Sequence, residues 1–289
     1  MLRGVLIRSL WRRFGWLVLL GLSWCVGGSC SAPVAPVPTP TPEAPSLAPS
    51  PLRMTSPESL LPALRAASAV YQREERSVEI TVIQRADPLA LRAVQHGDVD
   101  LAALTWLTQA LPEDLWARPL SRDGLAIVVH PQNGLPGLTM SQLQDLFQGR
   151  LEDWATWGGL PGTPLLVSRD ASSGDYAFFQ AWAMRDARVS LNALMAPSSE
   201  AVLAYVDADP LGVGYVSTAR LDGRVRAVAV NGVPPVRETM AAGLYPLTRT
   251  HFIVTPTEPE GAVRAFVEWL LTPPGQSVLS AHGLVPAPE

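Results

Sequence analysis

Residues 124–130 read Gly-Leu-Ala-Ile-Val-Val-His and contain a continuous apolar run of the length of one strand. Such a run indicates a strand covered on both faces, as in sheets flanked by helices. Outward from it, residues 77–83 show the alternation of a strand, and residues 261–271 carry apolar side chains at helical spacing. Thr139 and Gln142 have the spacing of a capping box. Alternating strands and helices predict an α/β fold with mostly parallel sheets, and about 240 such residues suit two lobes.

The composition excludes several function classes. The chain has 289 residues, of which 47% are hydrophobic and 17% charged, and its net charge is −4. Because there is no basic excess and no acidic tract, neither a nucleic-acid partner nor a disordered interaction tail is predicted. The four histidines match no metal-ligand spacing, and there is no Gly-x-Ser-x-Gly elbow or phosphate loop. We therefore expect no metal, no cofactor and no enzymatic activity.

The N-terminus has the pattern of an export signal. Residues 3–13 carry four arginines and no acid, residues 14–22 are apolar, and the small residues 27–29 precede Cys30. This order predicts a secretory signal at residues 1–29, and its apolar part is shorter than an ordinary membrane span. The junction resembles the lipobox of bacterial lipoproteins, which implies that Cys30 is lipidated. A plain signal peptide with incidental cysteines and an uncleaved anchor are the alternatives.

A proline-rich spacer follows. Residues 31–51 hold eight prolines, a composition that favours an extended, semi-rigid chain. With Cys30 it forms a predicted tether over residues 30–51. The other cysteine, Cys25, follows the bulky Trp24, which disfavours cleavage at that position. Signal, lipid site, tether and body in this order place the body outside the cytoplasm, anchored to the cell membrane on the periplasmic side or at the cell surface.

Seven segments, in a fixed order, carry a family resemblance. They are residues 122–133, 138–149, 154–159, 167–174, 212–216, 245–249 and 266–286. Together they resemble the phosphate-binding proteins of bacterial ABC transporters, within the class of two-lobed periplasmic binding proteins.

The resemblance implies a type II periplasmic binding protein fold with two sheets, flanked by helices and joined by crossover hinge strands. Lobe one would hold residues 52–125 and 249–289, and lobe two residues 126–248, with the ligand cleft between them. It also implies a monomeric solute-binding protein that captures a small oxyanion, with phosphate the first candidate, by hinge closure. The implied partner is an ABC transporter permease.

The loop at residues 169–175 is the main candidate ligand site. It lies between a strand ending near Val167 and a helix starting near Gly174, where unpaired backbone N–H groups and the helix dipole favour an anion. Ser172 and Ser173 offer hydroxyls, and Arg169 offers a planar fork for two oxygens. A structural turn with a serine N-cap and a surface ion pair of Arg169 is the alternative. The resemblance implies that Arg169, Ser173 and Gly174 contact phosphate.

Asp175 departs from the family, which has a threonine at this position. An acid in the first turn favours the helix itself, but it would repel a bound dianion. Asp175 could turn away and cap the helix. Otherwise it could accept a proton from a protonated oxyanion or contact an amine, and the ligand would then differ from phosphate.

The first-lobe loops also depart from the family. Thr55 and Ser56 remain of the first loop, Arg85 could supply a second cation, and Asp87 is expected to N-cap the helix after it. Trp106, in the third loop, could stack on an organic ligand or pack in the core. These departures leave three readings open: a receptor for phosphate, a receptor for another oxyanion or small organic ligand, and a sensor or interaction domain that has lost the site.

Overall fold

The computed structural model describes residues 50–107, 112 and 115–287. The strands are β1 (Ser50–Ser56), β2 (Val78–Gln84), β3 (Leu101–Leu104), β4 (Trp116–Val129), β5 (Gly137–Leu138), β6 (Leu165–Arg169), β7 (Leu194–Ala196), β8 (Gly212–Ser217), β9 (Arg226–Val230), β10 (Thr248–Thr255) and β11 (Val285–Pro286). The helices are α1 (Leu61–Glu74), α2 (Asp87–Gln95), α3 (Met140–Phe147), α4 (Gly174–Phe179), α5 (Ser199–Ala208), α6 (Arg237–Ala241), α7 (Gly261–Leu271) and α8 (Pro273–Ala281).

The first lobe is a sheet in the order β2-β1-β3-β10-β4. The outer strands β2, β1 and β3 run parallel, whereas β10 lies antiparallel to both β3 and β4. Helices α1, α7 and α8 pack together over β1 and β2. On α7, Phe266, Val267 and Leu270 are buried at the helical spacing that the sequence predicts.

The second lobe is built on the continuation of β4. This strand has 14 residues, or roughly 46 Å at ~3.3 Å per residue, so it passes from one lobe into the other. Its second half pairs antiparallel with β8 and β9, and β8, β6 and β7 are mutually parallel neighbours. Phe147, Trp154 and Tyr215 fill the core of this lobe. We call β4 and β10 the crossover strands.

The α/β class predicted from the sequence is confirmed, with one refinement. The sheet is mixed, because both crossover strands run against their neighbours while the outer strands keep the expected parallel pairing. Thr139 caps α3 in a capping box with Gln142, as its spacing predicts.

The N-terminal predictions lie largely outside the described residues. These are the signal at residues 1–29, the lipidated Cys30 and the tether as far as residue 49. The last two tether residues, Ser50 and Pro51, begin β1, where they pair with Val78 and Glu79. Within the described part of the chain, no helix combines the length and apolar character needed to cross a bilayer.

Candidate functional site

Loops from both lobes enclose a cavity of about 110 Å³. That volume can hold several water molecules or one small ion, since one water needs roughly 10–15 Å³ of such space. Six of the predicted ligand residues line it: Arg85, Arg169, Ser172, Ser173, Gly174 and Asp175. The other two, Thr55 and Ser56, are fully buried at the end of β1 and are not among its lining residues. The structure therefore brings most of the predicted set together at one place.

Arg169 is held inside the protein at the end of β6. Its Nη1 lies 3.3 Å from Glu58 Oε2, 3.1 Å from Ser199 Oγ and 3.5 Å from Asp175 Oδ2. The side chain is 5% exposed. The alternative of a surface ion pair is therefore excluded, because the Arg169 side chain is buried.

Glu58 crosses the cleft from the first lobe. It lies in the loop between β1 and α1, and its Oε2 accepts from Ser199 Oγ at 2.7 Å and from Ser199 N at 3.3 Å. Its Oε1 lies 3.6 Å from Arg220 Nε. Sequence reasoning missed Glu58, Ser199 and Arg220. The available signal was an acid directly after the Thr55-Ser56-Pro57 turn of the first loop.

Asp175 turns inward and pairs with Arg249. The Asp175 Oδ1 to Arg249 Nη1 distance is 2.7 Å, and the two side chains are 3% and 0% exposed. With a second contact to Arg169, the carboxylate bridges two arginines. The hypothesis that Asp175 turns away to cap α4 is wrong, because its charge is used between two buried cations.

A buried network joins the crossover strands behind the cavity. Arg249 Nε and Nη2 donate to the two oxygens of Asp123, at 2.7 and 3.1 Å, and Ser217 donates to the same carboxylate. His251 Nε2 lies 3.0 Å from Asp123 Oδ1, and its Nδ1 lies 3.0 Å from Ser121 Oγ. Burial alone would raise the pKa of the Asp123 carboxyl, but Arg249 and His251 hold that pKa well below its usual value.

The chain of Ser121, His251 and Asp123 has the connectivity of a catalytic triad. All three side chains are fully buried, so no substrate reaches the serine hydroxyl. We interpret the three residues as a structural link between the crossover strands.

Asp87 meets the ligand loop from the first lobe. Its Oδ2 accepts from Thr105 N at 3.1 Å and from the Thr105 hydroxyl. Ala86 is the N-cap of α2 and Asp87 the first helical residue, so the expectation that Asp87 caps this helix is wrong. Although the residue as a whole is half-buried, its carboxylate is buried, which raises the pKa of Asp87 to about 6 against the hydrogen bonds from Thr105.

Gly174 lies against Asp87 and Thr105, which belong to the first lobe. A Cβ on Gly174 would lie 2.7 Å from Asp87 Oδ2 and would also collide with the Thr105 hydroxyl. A larger residue would therefore force the loops apart, which explains the glycine in physical terms.

The remaining predicted residues, Ser172, Ser173, Trp106 and Arg85, differ in their contacts. Ser172 donates to Asp170 within its own turn, and Ser173 precedes α4 without a side-chain capping bond. Trp106 packs edge-on against Phe178 at 5.4 Å, as in core packing. Arg85 lines the cavity and, within residues 50–107, 112 and 115–287, forms no ion pair.

A metal centre finds no support in the part of the chain that the structure describes. Among those residues, no group of three or more His, Cys, Asp or Glu side chains is placed to hold a metal ion.

Comparisons with known proteins agree with this architecture. Residues 39–274 match the family model described as a PBP superfamily domain. The chain is 25% identical over 245 residues to the phosphate-binding protein PstS of Bacillus subtilis, covering 82% of this chain and 81% of that protein. It is 30% identical over 194 residues to PstS of Pseudomonas aeruginosa, covering 60% of each.

Solved structures show the same fold. A putative phosphate ABC transporter substrate-binding protein with bound phosphate from Clostridium perfringens superposes with a TM-score of 0.77 at 21% identity, covering 83% of this chain and 100% of that chain. An ABC-type phosphate transport receptor from Vibrio cholerae gives 0.73 at 21% identity, covering 82% and 100%. The predicted two-lobed, type II periplasmic binding protein fold is confirmed.

Proposed function

This chain belongs to the PBP superfamily, and from that premise we propose that it is an extracytoplasmic solute-binding lipoprotein that captures a small oxyanion for an ABC transporter. Phosphate is the first candidate, since the curated relatives are phosphate-binding proteins. The chain acts as a monomer, is tethered to the membrane through Cys30, delivers its ligand to a permease and catalyses no reaction.

One observation carries this proposal: Arg169 and the Ser173-Gly174 turn reach the cavity from the second lobe, and Arg85 reaches it from the first. Guanidinium groups bind oxyanions through two parallel N–H donors, and a ligand held from both sides stabilises the closed form. The proposed lobes are residues 52–125 with 249–289, and residues 126–248. The crossover strands β4 and β10 form the hinge.

The test is the melting temperature of the full chain, measured against phosphate, sulfate, tungstate, molybdate, phosphonates and amino acids. A ligand that binds only the folded state raises the melting temperature in a saturable way. We expect such a rise with one oxyanion. No rise with any of these compounds, in a folded protein, would contradict the proposal.

A matched pair of variants ties binding to the cleft. Arg169→Lys keeps the charge but loses the planar guanidinium that can donate to two oxygens at once. The affinity for the oxyanion should therefore fall about ten-fold or more. Arg150→Lys makes the same change at an exposed ion pair with Asp145 and should leave affinity unchanged. Equal effects of the two changes would argue against a site at Arg169.

A second candidate function rests on the charge balance of the cleft. Arg169, Arg220 and Arg249 are already paired with the carboxylates of Glu58, Asp123 and Asp175. A domain that stays closed without a ligand, and acts as a sensor or interaction module, would have this arrangement. The same melting experiment separates the two functions, because such a domain would respond to none of the anions.

A further inference from the structure

The Glu58 side chain lines the cavity and joins the two lobes. Glu58 belongs to the loop after β1 in the first lobe, whereas Arg169, Ser199 and Arg220 all belong to the second. The hydrogen bonds bridge 111 and 141 residues of sequence. No local constraint of the chain explains these contacts, so they arise from the approach of the lobes.

The contacts of Glu58 have the chemistry of oxyanion recognition. One carboxylate oxygen receives donors from a guanidinium, a hydroxyl and a backbone N–H, and the other faces a second guanidinium. These donor types bind phosphate and carboxylate alike, because both present several acceptor oxygens with negative charge. A free oxyanion and Glu58 would compete for the same groups.

Burial sets the strength of this contact. The Glu58 side chain is 21% exposed while its partner Arg169 is 5% exposed, so the ion pair is largely shielded from water but open to exchange at one edge. Exposed ion pairs contribute little to stability, whereas shielded, hydrogen-bonded ones have larger coupling energies.

We propose that the Glu58 carboxylate occupies the hydrogen-bond donors of the second lobe that would otherwise bind an oxyanion. These donors belong to Arg169, Ser199 and Arg220. Glu58 holds the lobes together when no anion is bound, and an incoming oxyanion displaces it. The displacement step rests on the proposed function, since it requires an oxyanion that binds at Arg169. The contacts of Glu58 with Arg169 and Ser199, which we call the latch, do not depend on the proposed function.

The latch also defines a class of ligand. A group tethered on a short segment competes at an effective concentration of about millimolar. A free monocarboxylate that makes only the same contacts cannot displace Glu58 at lower concentration. A dianion with three or four acceptor oxygens can, because Arg85 and the Ser173-Gly174 turn line the same cavity and offer it further donors. The site therefore favours tetrahedral oxyanions over simple carboxylates.

The decisive variant is Glu58→Gln in the full chain, which keeps the size of the side chain and removes its charge. Two readouts are needed. The first is amide hydrogen exchange in anion-depleted buffer, over the peptides containing residues 57–60 and 197–203. The second is calorimetric titration with inorganic phosphate and with acetate. Glu268→Gln is the matched control, because it removes the same charge from the exposed pair with Arg264.

We expect amide exchange at the two cleft loops to be about ten-fold faster in Glu58→Gln than in wild type. Phosphate affinity should rise about ten-fold, equivalent to ~1.4 kcal/mol, and acetate binding should become measurable. Glu268→Gln should match wild type in both readouts, because exposed ion pairs contribute little. If Glu58→Gln fails to fold, Glu58→Ala is measured in its place with the same expectations.

Each other result is informative. Unchanged exchange in the Glu58 variant would overturn the latch. Weaker phosphate binding in that variant would contradict the competition between Glu58 and phosphate for the same donors, and it would make Glu58 part of the anion site. Faster exchange with no phosphate binding by either protein would preserve the latch and would count against phosphate as the ligand of the proposed function.

Discussion

Arg249 and Asp123 lie directly opposite each other on the two crossover strands and form a fully buried, two-point ion pair. The Nε to Oδ1 distance is 2.7 Å and the Nη2 to Oδ2 distance is 3.1 Å. Arg249 also lies 2.7 Å from Asp175, so one cation links the crossover strands to the first turn of α4.

Asp123→Asn should strongly destabilise the protein. The change keeps the shape of the side chain but leaves the buried Arg249 without its main counter-charge, and breaking one partner of a buried pair costs about 3–5 kcal/mol. The free energy of unfolding, measured in urea, tests this. Asp145→Asn makes the same change at the exposed pair with Arg150 and should cost ~0–1 kcal/mol. Comparable losses at both sites would contradict the assignment.

The contribution of Asp87 to the stability of the protein should fall as pH rises through its titration. Its pKa is raised in the folded protein from 3.8 to about 6. A raised folded-state pKa contributes stability that is complete below pH 3.8 and is lost as pH rises through about 6. Urea unfolding of wild type and Asp87→Asn from pH 4 to pH 7 tests this. The advantage of wild type over the variant should shrink across that range, and a constant difference would contradict the raised pKa.

Gly174→Ala should loosen the contact between the lobes. The added methyl would lie 2.7 Å from Asp87 Oδ2, and overpacking of this kind costs about 1–3 kcal/mol. Both the melting temperature and the affinity for the oxyanion should fall. Gly223→Ala is the control, because a Cβ there has no atom within 4 Å. Equal melting temperatures for the two variants would show that the Gly174 contact is not tight.

Cys30→Ser should release the protein from the membrane. If Cys30 carries the lipid, the variant loses incorporation of labelled fatty acid. It also moves from the membrane to the soluble fraction, because the lipid is the anchor of the chain after the signal is removed. Cys25→Ser should behave as wild type. Loss of label from Cys25→Ser alone would reassign the lipid site to Cys25. Retention of the label in both variants would contradict lipidation at Cys30.

Much of the fold can be predicted from the amino-acid sequence alone. The helix predicted over residues 261–271 coincides with α7, and the predicted capping box at Thr139 is present. The order of the seven segments gave the correct family. These features depend on neighbours within a few positions or on a pattern repeated along the chain. Both can be recognised from the amino-acid sequence alone.

The candidate site was only partly accessible. The sequence predicts a ligand site at Arg169, Ser173 and Gly174 because a strand, a turn and a helix meet there, and all three residues line the cavity. The position of Asp87 at the start of α2 predicts a helix cap, whereas its contact with Thr105, 18 residues away, has no signal in the local sequence. The partners of Asp175 were missed for the same reason.

The sequence by itself determined the alternation of strands and helices and the loop that presents Arg169. Local propensity and hydrophobic period suffice for these features. Only the tertiary structure decided that Glu58 meets Ser199 across 141 residues and that Arg249 meets Asp123 across 126. Such pairs depend on how two lobes close on each other, and charge pairing at that distance leaves no periodic signal in a single chain. The chemistry of the cleft is therefore a property of the closed fold.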